Sequence, residues 1–223
     1  MSWRRRGFAR PHFRARAAHG LIHRVIPFRM PLILASSSPI RRAMLDQAGV
    51  AHEVVAPRVD ESALKAAPAG PDTELALTLA EAKAAEVSIR RPDDWVIGGD
   101  SVVSVEHRRF SKPQDREQAA AHLRFFSGKI MRLTSAVALA RGGRVDWDYV
   151  GEAILHIRPL SERFIADYLD AEWPAVGHCV GVFRMEALGV ALFDQVEGDH
   201  FTILGMPLLA LLGALRERGL AAS

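Results

Sequence analysis

Hydrophobic and polar positions along the chain switch between two periods, and the switches outline the elements. Leu32–Ala35 is an unbroken apolar run and reads as a buried strand. Helical spacing follows from Pro39 to Ala48. Pro39 at a first helical position loses nothing by lacking an N–H, Ser38 before it is a natural cap, and Gly49 supplies the stop. His52–Val55 reads as a second strand and Pro57–Pro71 as a loop. Thr73 caps a predicted helix over Glu74–Ser88, with Leu75, Leu79, Ala82 and Val87 on or near one face. Trp95–Ile97 is predicted as a short strand running into Gly98-Gly99-Asp100-Ser101, after which Val102–Val105 resumes as a strand. Gln114–Phe125 reads as a helix, and Leu133–Ala140 and Val145–Ile157 as paired strands around Arg141-Gly142-Gly143. Ser161–Leu169 is a predicted helix, Leu188–Val196 a strand, Glu197-Gly198-Asp199 a turn and Pro207–Arg216 the closing helix. Alternating strands and helices, followed by longer hairpins, give an α/β chain with a mixed twisted sheet and flanking helices.

Composition narrows the class. The 223 residues are 49% hydrophobic and 25% charged, an ordinary globular balance for one compact domain. The longest apolar run, Met206 to Leu215, is too short to span a bilayer, so no membrane association is expected. A single cysteine, Cys179, excludes an internal disulfide framework and zinc spacing, and suits a reducing, cytoplasmic setting. The nine histidines show no metal-ligand spacing, and there is no G-x-S-x-G elbow, Walker loop or G-x-G-x-x-G.

The net charge of +3 is unevenly spread. Residues 1–29 hold eight arginines and no acid, and without those eight the charge is −5. This leader lacks the apolar centre of a secretory signal and is expected to be a basic, unstructured extension, with the functional domain running from Met30 to residue 218. An acidic body argues against specific nucleic-acid binding, so any anion site must be local.

One such site announces itself. In Leu32-Ile33-Leu34-Ala35-Ser36-Ser37-Ser38-Pro39-Ile40-Arg41-Arg42 an apolar strand stops at three hydroxyls, and a helix then opens with two arginines. Free N–H groups at a helix start, serine hydroxyls and guanidinium groups all favour an anion such as a phosphate. Asp100 follows a strand and two glycines. It reads either as a carboxylate at a strand end, where α/β sheets place ligand groups, or as a turn aspartate. Asp60-Glu61 could hold a cation through oxygen or be a solvated loop. Lys83 and Lys112 read as phosphate-binding charges or as surface lysines.

Taken together and in order, Ala35 to Arg42, Asp60-Glu61, Ala82-Lys83-Ala84, Gly98-Gly99-Asp100-Ser101, Lys112-Pro113, Ser127-Gly128 and Gly205-Met206-Pro207-Leu208 resemble the Maf-type nucleoside triphosphate pyrophosphatases. The resemblance runs from about Pro31 to Leu215. It implies two lobes around a cleft, a homodimer, and metal-assisted hydrolysis of a nucleoside triphosphate between the α and β phosphates with Mg²⁺ or Mn²⁺. It implies Asp100 as the base for the attacking water and Glu61 and Asp100 as metal ligands. Ser36, Ser38, Arg41, Lys83, Lys112, Ser101 and Glu186 become substrate-binding residues, with Glu186 helping to choose the base. The position after the proline is Arg in the branch acting on dTTP and UTP and Trp in the branch acting on 7-methyl-GTP. Here it is Ile40, so neither specificity is implied. A nucleotide-binding regulatory module with little or no catalysis is the competing reading.

Overall fold

The computed structural model describes residues 32–65 and 70–221; the basic leader falls outside them. Seven strands form one mixed sheet: β1 (Leu32–Ala35), β2 (Glu53–Val54), β3 (Trp95–Val105), β4 (Arg108–Phe110), β5 (Ile130–Arg141), β6 (Arg144–Ile157) and β7 (Phe193–Gly198). Their order is β2-β1-β3-β5-β6-β7, with β4 beside β3. β1 runs parallel to β2 and β3, and every other pairing is antiparallel. The parallel pairs need crossovers, which α1 (Pro39–Gln47) and the long α3 (Asp72–Arg90) provide. The β5–β6 hairpin closes through Gly142 and Gly143, whose φ of 56° and 81° are the left-handed values that a tight hairpin turn demands. The remaining helices are α2 (Glu61–Lys65), α4 (Arg116–Phe126), α5 (Glu162–Glu172), α6 (His200–Ile203) and α7 (Leu208–Glu217).

Alternation along β3 sorts the core. Ile97 packs with Leu34, Leu45, Val137, Leu139, Leu211 and Leu215, the cluster beneath α1 and α7. Val103 and Val105, on the same face, pack instead with Phe110, Leu123, Phe126, Met131, Leu155, Ile165 and Leu169, beneath α4 and α5. Between these two clusters the face carries only Gly99 and Ser101, so two apolar lobes flank a polar gap. On the opposite face, Ala76, Ala80 and Ala84 of α3 pack with Val102, Ala136 and Ala138.

Several expected elements differ. The Pro57–Pro71 segment is not all loop. α2 forms there because the Asp60 carboxylate accepts hydrogen bonds from the backbone N–H groups of Ser62 (3.0 Å) and Ala63 (3.4 Å). α3 begins at Asp72 rather than under a Thr73 cap, and its cap position, Pro71, makes no side-chain bond. Trp95–Ile97 and Val102–Val105 are not separate strands. They are one 11-residue strand, because β5 pairs with every residue from Val96 to Val105 and carries the chain through the glycines. Leu188–Leu192 is a 3-10 helix, so β7 starts only at Phe193. Glu197 and Gly198 belong to the strand, and Asp199 caps α6 through Thr202 N. The α4 cap is Asp115, which accepts from Gln118 N, and Ser161 caps α5 as expected.

Candidate active site

The cleft arises from a mismatch of strand lengths. β1 pairs with β3 only as far as Gly98, and β4 begins pairing on that same edge only at Val103. Gly99 to Val102 therefore have no neighbour on that edge, and the gap opens into a cavity of about 440 Å³. Asp100 is not at the end of its own strand, as the glycines suggested. It sits mid-strand opposite Ala136 and reaches the cavity because its shorter neighbour stops. The nine site residues that the resemblance implies all line this one cavity: Ser36, Ser38, Arg41, Glu61, Lys83, Asp100, Ser101, Lys112 and Glu186.

One wall is acidic with an ammonium at its centre. Lys83 of α3 donates to Asp100 Oδ1 at 2.5 Å and lies 2.7 Å from Glu61 Oε1. Lys83 and Asp100 are buried, and Glu61 is about half-buried. Burial pushes the Glu61 carboxyl up, but the hydrogen bonds from Lys65 and Lys83 outweigh it and bring its pKa down to about 2. Asp100 Oδ2 accepts no hydrogen bond from the described residues. Glu61 and Asp100 are two carboxylates, and no group of three or more His, Cys, Asp or Glu among the described residues could hold a metal ion.

The opposite wall is cationic. Arg41 donates through Nε to Gly205 O at 2.8 Å and through Nη2 to Ser101 Oγ at 3.0 Å. Burial lowers its pKa, the more distant charges of Asp100 and Glu61 raise it, and burial prevails. No carboxylate lies within ion-pair distance of it among the described residues. A partly buried guanidinium without a counter-ion is costly, and an incoming anion relieves that cost. Ser36–Ser38 lead into α1 at the same place. Ser38 occupies the cap position but its hydroxyl makes no cap bond, and the first turn holds no acid, so the positive end of the helix is uncompensated. Arg42 does not join this wall; it is exposed and faces Asp46 at 3.6 Å.

Lys112 and Glu186 are both exposed, and Glu186 lies 3.4 Å from Arg184. Arg184 also reaches the buried Glu172 at 3.4 Å. Reading the sequence missed two cavity cations, Lys65 and Arg184. Lys65 had a signal, the Glu61–Lys65 spacing of one helical turn, which the loop assignment concealed. Five cationic side chains and three carboxylates line the cavity, so an anionic ligand is favoured.

The model of the family described as Maf-like protein matches residues 31–218. The chain belongs to the Maf-like family. A relative from Rhizobium etli named 7-methyl-GTP pyrophosphatase is 49% identical over 192 residues, covering 84% of this chain and 96% of its own. Relatives named nucleoside triphosphate pyrophosphatase come from Sphingopyxis alaskensis (48% identical; 86% and 99% covered) and Nitrobacter hamburgensis (46%; 85% and 95%). The Maf-like region thus contains every element that lines the cavity.

Proposed function

We propose that the protein hydrolyses nucleoside triphosphates between the α and β phosphates, releasing a monophosphate and pyrophosphate. The observation that carries this reading is the division of one cavity into two walls. A cationic wall has an unpaired guanidinium and a helix N-terminus, and an acidic wall has a carboxylate with one oxygen free. Phosphoryl chemistry asks for little else: the phosphates must be neutralised and positioned, and water must be aimed.

In this mechanism Arg41, the Ser36–Ser38 turn and Lys112 grip the phosphate chain, and α1 adds its N-terminal N–H groups. Lys83 holds Asp100 Oδ1, which aims Oδ2 at a water beside the α phosphorus. Asp100 takes the proton as the new P–O bond forms and the bond from the α phosphorus to the α–β bridging oxygen breaks. The electron pair leaves with pyrophosphate. A divalent cation, Mg²⁺ or Mn²⁺, belongs to the proposal. Such hard ions take one or two carboxylates and fill their shell with substrate phosphates and water, so Glu61 and Asp100 fit an ion delivered with the triphosphate. When bound it supplies Lewis acidity and further charge neutralisation. Glu186 and Arg184 also line the cavity and are assigned to the nucleoside. A homodimer, expected from the family, is tested by light scattering of the purified chain.

The deciding experiment incubates purified protein with Mg²⁺ or Mn²⁺ and a panel of triphosphates. The panel includes 7-methyl-GTP, the substrate in the name of the Rhizobium etli relative. Release of pyrophosphate rather than orthophosphate, abolished by Asp100→Asn, is the expected result. Tight binding without turnover across the panel would favour the regulatory-module reading instead.

A further inference from the structure

We propose that Ser135, which none of the sequence motifs contains, is the positioning residue for Arg41. Arg41 is held by two acceptors, Ser101 Oγ and Gly205 O, and Ser135 pins both. Its Oγ lies 2.9 Å from Ser101 Oγ and 2.8 Å from Thr202 O. The Thr202 carbonyl offers only acceptance, so Ser135 must donate to it. Ser135 Oγ is then left to accept from the Ser101 hydroxyl, whose other acceptor, Gly205 O, is longer at 3.3 Å, and Ser101 Oγ stays open to Arg41 Nη2. The chain runs one way: Arg41 N–H to Ser101, Ser101 to Ser135, Ser135 to the Thr202 carbonyl. Hydrogen bonds aligned in this sense polarise one another.

The second acceptor is reached through the same carbonyl. Thr202 O also accepts from Gly205 N at 3.0 Å, closing the turn that presents Gly205 O to Arg41 Nε. Gly205 has φ +105°, and a Cβ there would stand 3.3 Å from Ser101 Oγ and 3.6 Å from Arg41 Nη2. A side chain at this position would therefore be strained and would crowd the guanidinium.

Strand register explains how α6 comes so close to the sheet. Ser101 of β3 pairs with Ser135 of β5, and Ser135 pairs with Gly151 of β6. This row of small residues forms a trough across three strands, and Thr202 lies in it. A Cβ on Gly151 would come within 2.6 Å of Thr202 Oγ1. Ser135 itself is fully buried and does not line the cavity, so it acts on the anion only through Arg41.

This inference rests on the reading of Arg41 as a phosphate ligand, and a double-variant cycle separates the two. The probe is an α,β-methylene triphosphate, which cannot be cleaved at the reacting bond, titrated into full-length protein by calorimetry with thermal melts alongside. Ser135→Ala is expected to weaken binding roughly five- to tenfold, and to add nothing in an Arg41→Ala background, because the residue acts through a side chain already gone. Additive losses would overturn the proposal, as would unchanged binding in Ser135→Ala when Arg41→Ala binds weakly. If Arg41→Ala itself binds normally, the phosphate-ligand reading fails and the inference falls with it. Should Ser135→Ala not fold, Gly151→Ala carries the same test from outside the cavity. Its Cβ would press on the Thr202 side chain, 2.6 Å from Oγ1, and is expected to shift the Thr202 carbonyl, with the same loss and the same silence behind Arg41→Ala; additivity there would overturn the proposal equally.

Discussion

Gly98 of β3 meets Ala84 of α3 with no room for a side chain: a Cβ on Gly98 would stand 2.6 Å from the Ala84 amide nitrogen and overlap the Ala80 carbonyl oxygen. Both obstacles are helix backbone, which cannot step aside as a side chain can. That contact sets the distance between α3 and β3, and so brings Lys83, next to Ala84, within 2.5 Å of Asp100, two residues along from Gly98. Gly98→Ala is therefore expected to cost about 1–3 kcal/mol through overpacking and to lower kcat as Lys83 and Asp100 separate. Gly99 is the control for stability alone, since a side chain there would crowd Arg41. Its Cβ would point to the other face, 3.3 Å from Ala136 O and 3.4 Å from Arg41 Nε, so Gly99→Ala should fold normally. Denaturant unfolding of the two neighbours checks the contrast, and steady-state kinetics of Gly98→Ala check the loss of kcat.

Lys83 is the only cation touching both Asp100 and Glu61 among the described residues. Removing one member of a buried ion pair leaves an uncompensated charge, which costs on the order of 3 kcal/mol. Lys83→Met is expected to lose that stability and to cut kcat at least a hundredfold, as removal of a preorganised electrostatic contact does. Adding Asp100→Asn to Lys83→Met should restore much of the stability but none of the activity. Unfolding midpoints and turnover, measured on both single variants and the pair, distinguish this outcome from a lysine that serves substrate alone.

The sequence made the two walls of the cavity legible to different degrees. The Ser36–Arg41 turn could be read because its chemistry is contiguous: hydroxyls, a proline and an arginine fall within one strand-to-helix connection. Asp100 was legible as a chemical group but not as a position. The glycines before it look like a strand end, whereas they serve close packing of α3 on one face and leave space beside Arg41 on the other. Antiparallel pairing with β5 overrode their local preference. Ser135 and Gly151 left no signal, since a small residue in a strand announces its role only when the register places it beside Ser101 or beneath Thr202. The Leu188–Leu192 helix was hidden for a related reason. Its apolar residues mimic a strand, while Gly189 packs so near the Arg184 backbone that a Cβ would lie 2.5 Å from its amide nitrogen.

Glu61 gives a pH prediction whose sign is fixed by its partners. Lys65 and Lys83 hold its folded-state pKa at about 2, against 4.5 for the ordinary carboxyl. A group depressed on folding contributes stability that is fully present above the unfolded value and is lost as pH falls through the folded one. The window is therefore pH 4.5 down to 2. Glu61 is 37% exposed, so solvent screening reduces its contribution to about 1 kcal/mol or less. Glu61→Gln should be less stable than the parent by that amount at pH 7. The gap should narrow below pH 4.5 and close near pH 2, as chemical denaturation at stepped pH would reveal. A gap unchanged at low pH would mean that packing, not charge, is what Glu61 provides.

Cys179 tests the electrostatics of the cavity without any substitution. It lines the wall near Lys112 and Glu186, yet burial and the Glu186 carboxylate push its thiol up to about 11, against the partial relief that Arg184 and Lys112 offer. The thiolate is the reactive species, so a thiol with that pKa is almost wholly protonated at pH 7. Alkylation by iodoacetamide should be slow at neutral pH and climb steadily from pH 8 to pH 10 without a plateau. A free cysteine of ordinary pKa would level off in that range. Triphosphate occupying the cavity should slow the reaction further at every pH, because it covers the sulfur and adds negative charge that disfavours the thiolate. Mass-spectrometric rates with and without the α,β-methylene analogue measure both effects. A plateau below pH 9 would show that the cavity does not raise the thiol, and rates indifferent to the analogue would show that it lies outside the nucleotide's reach.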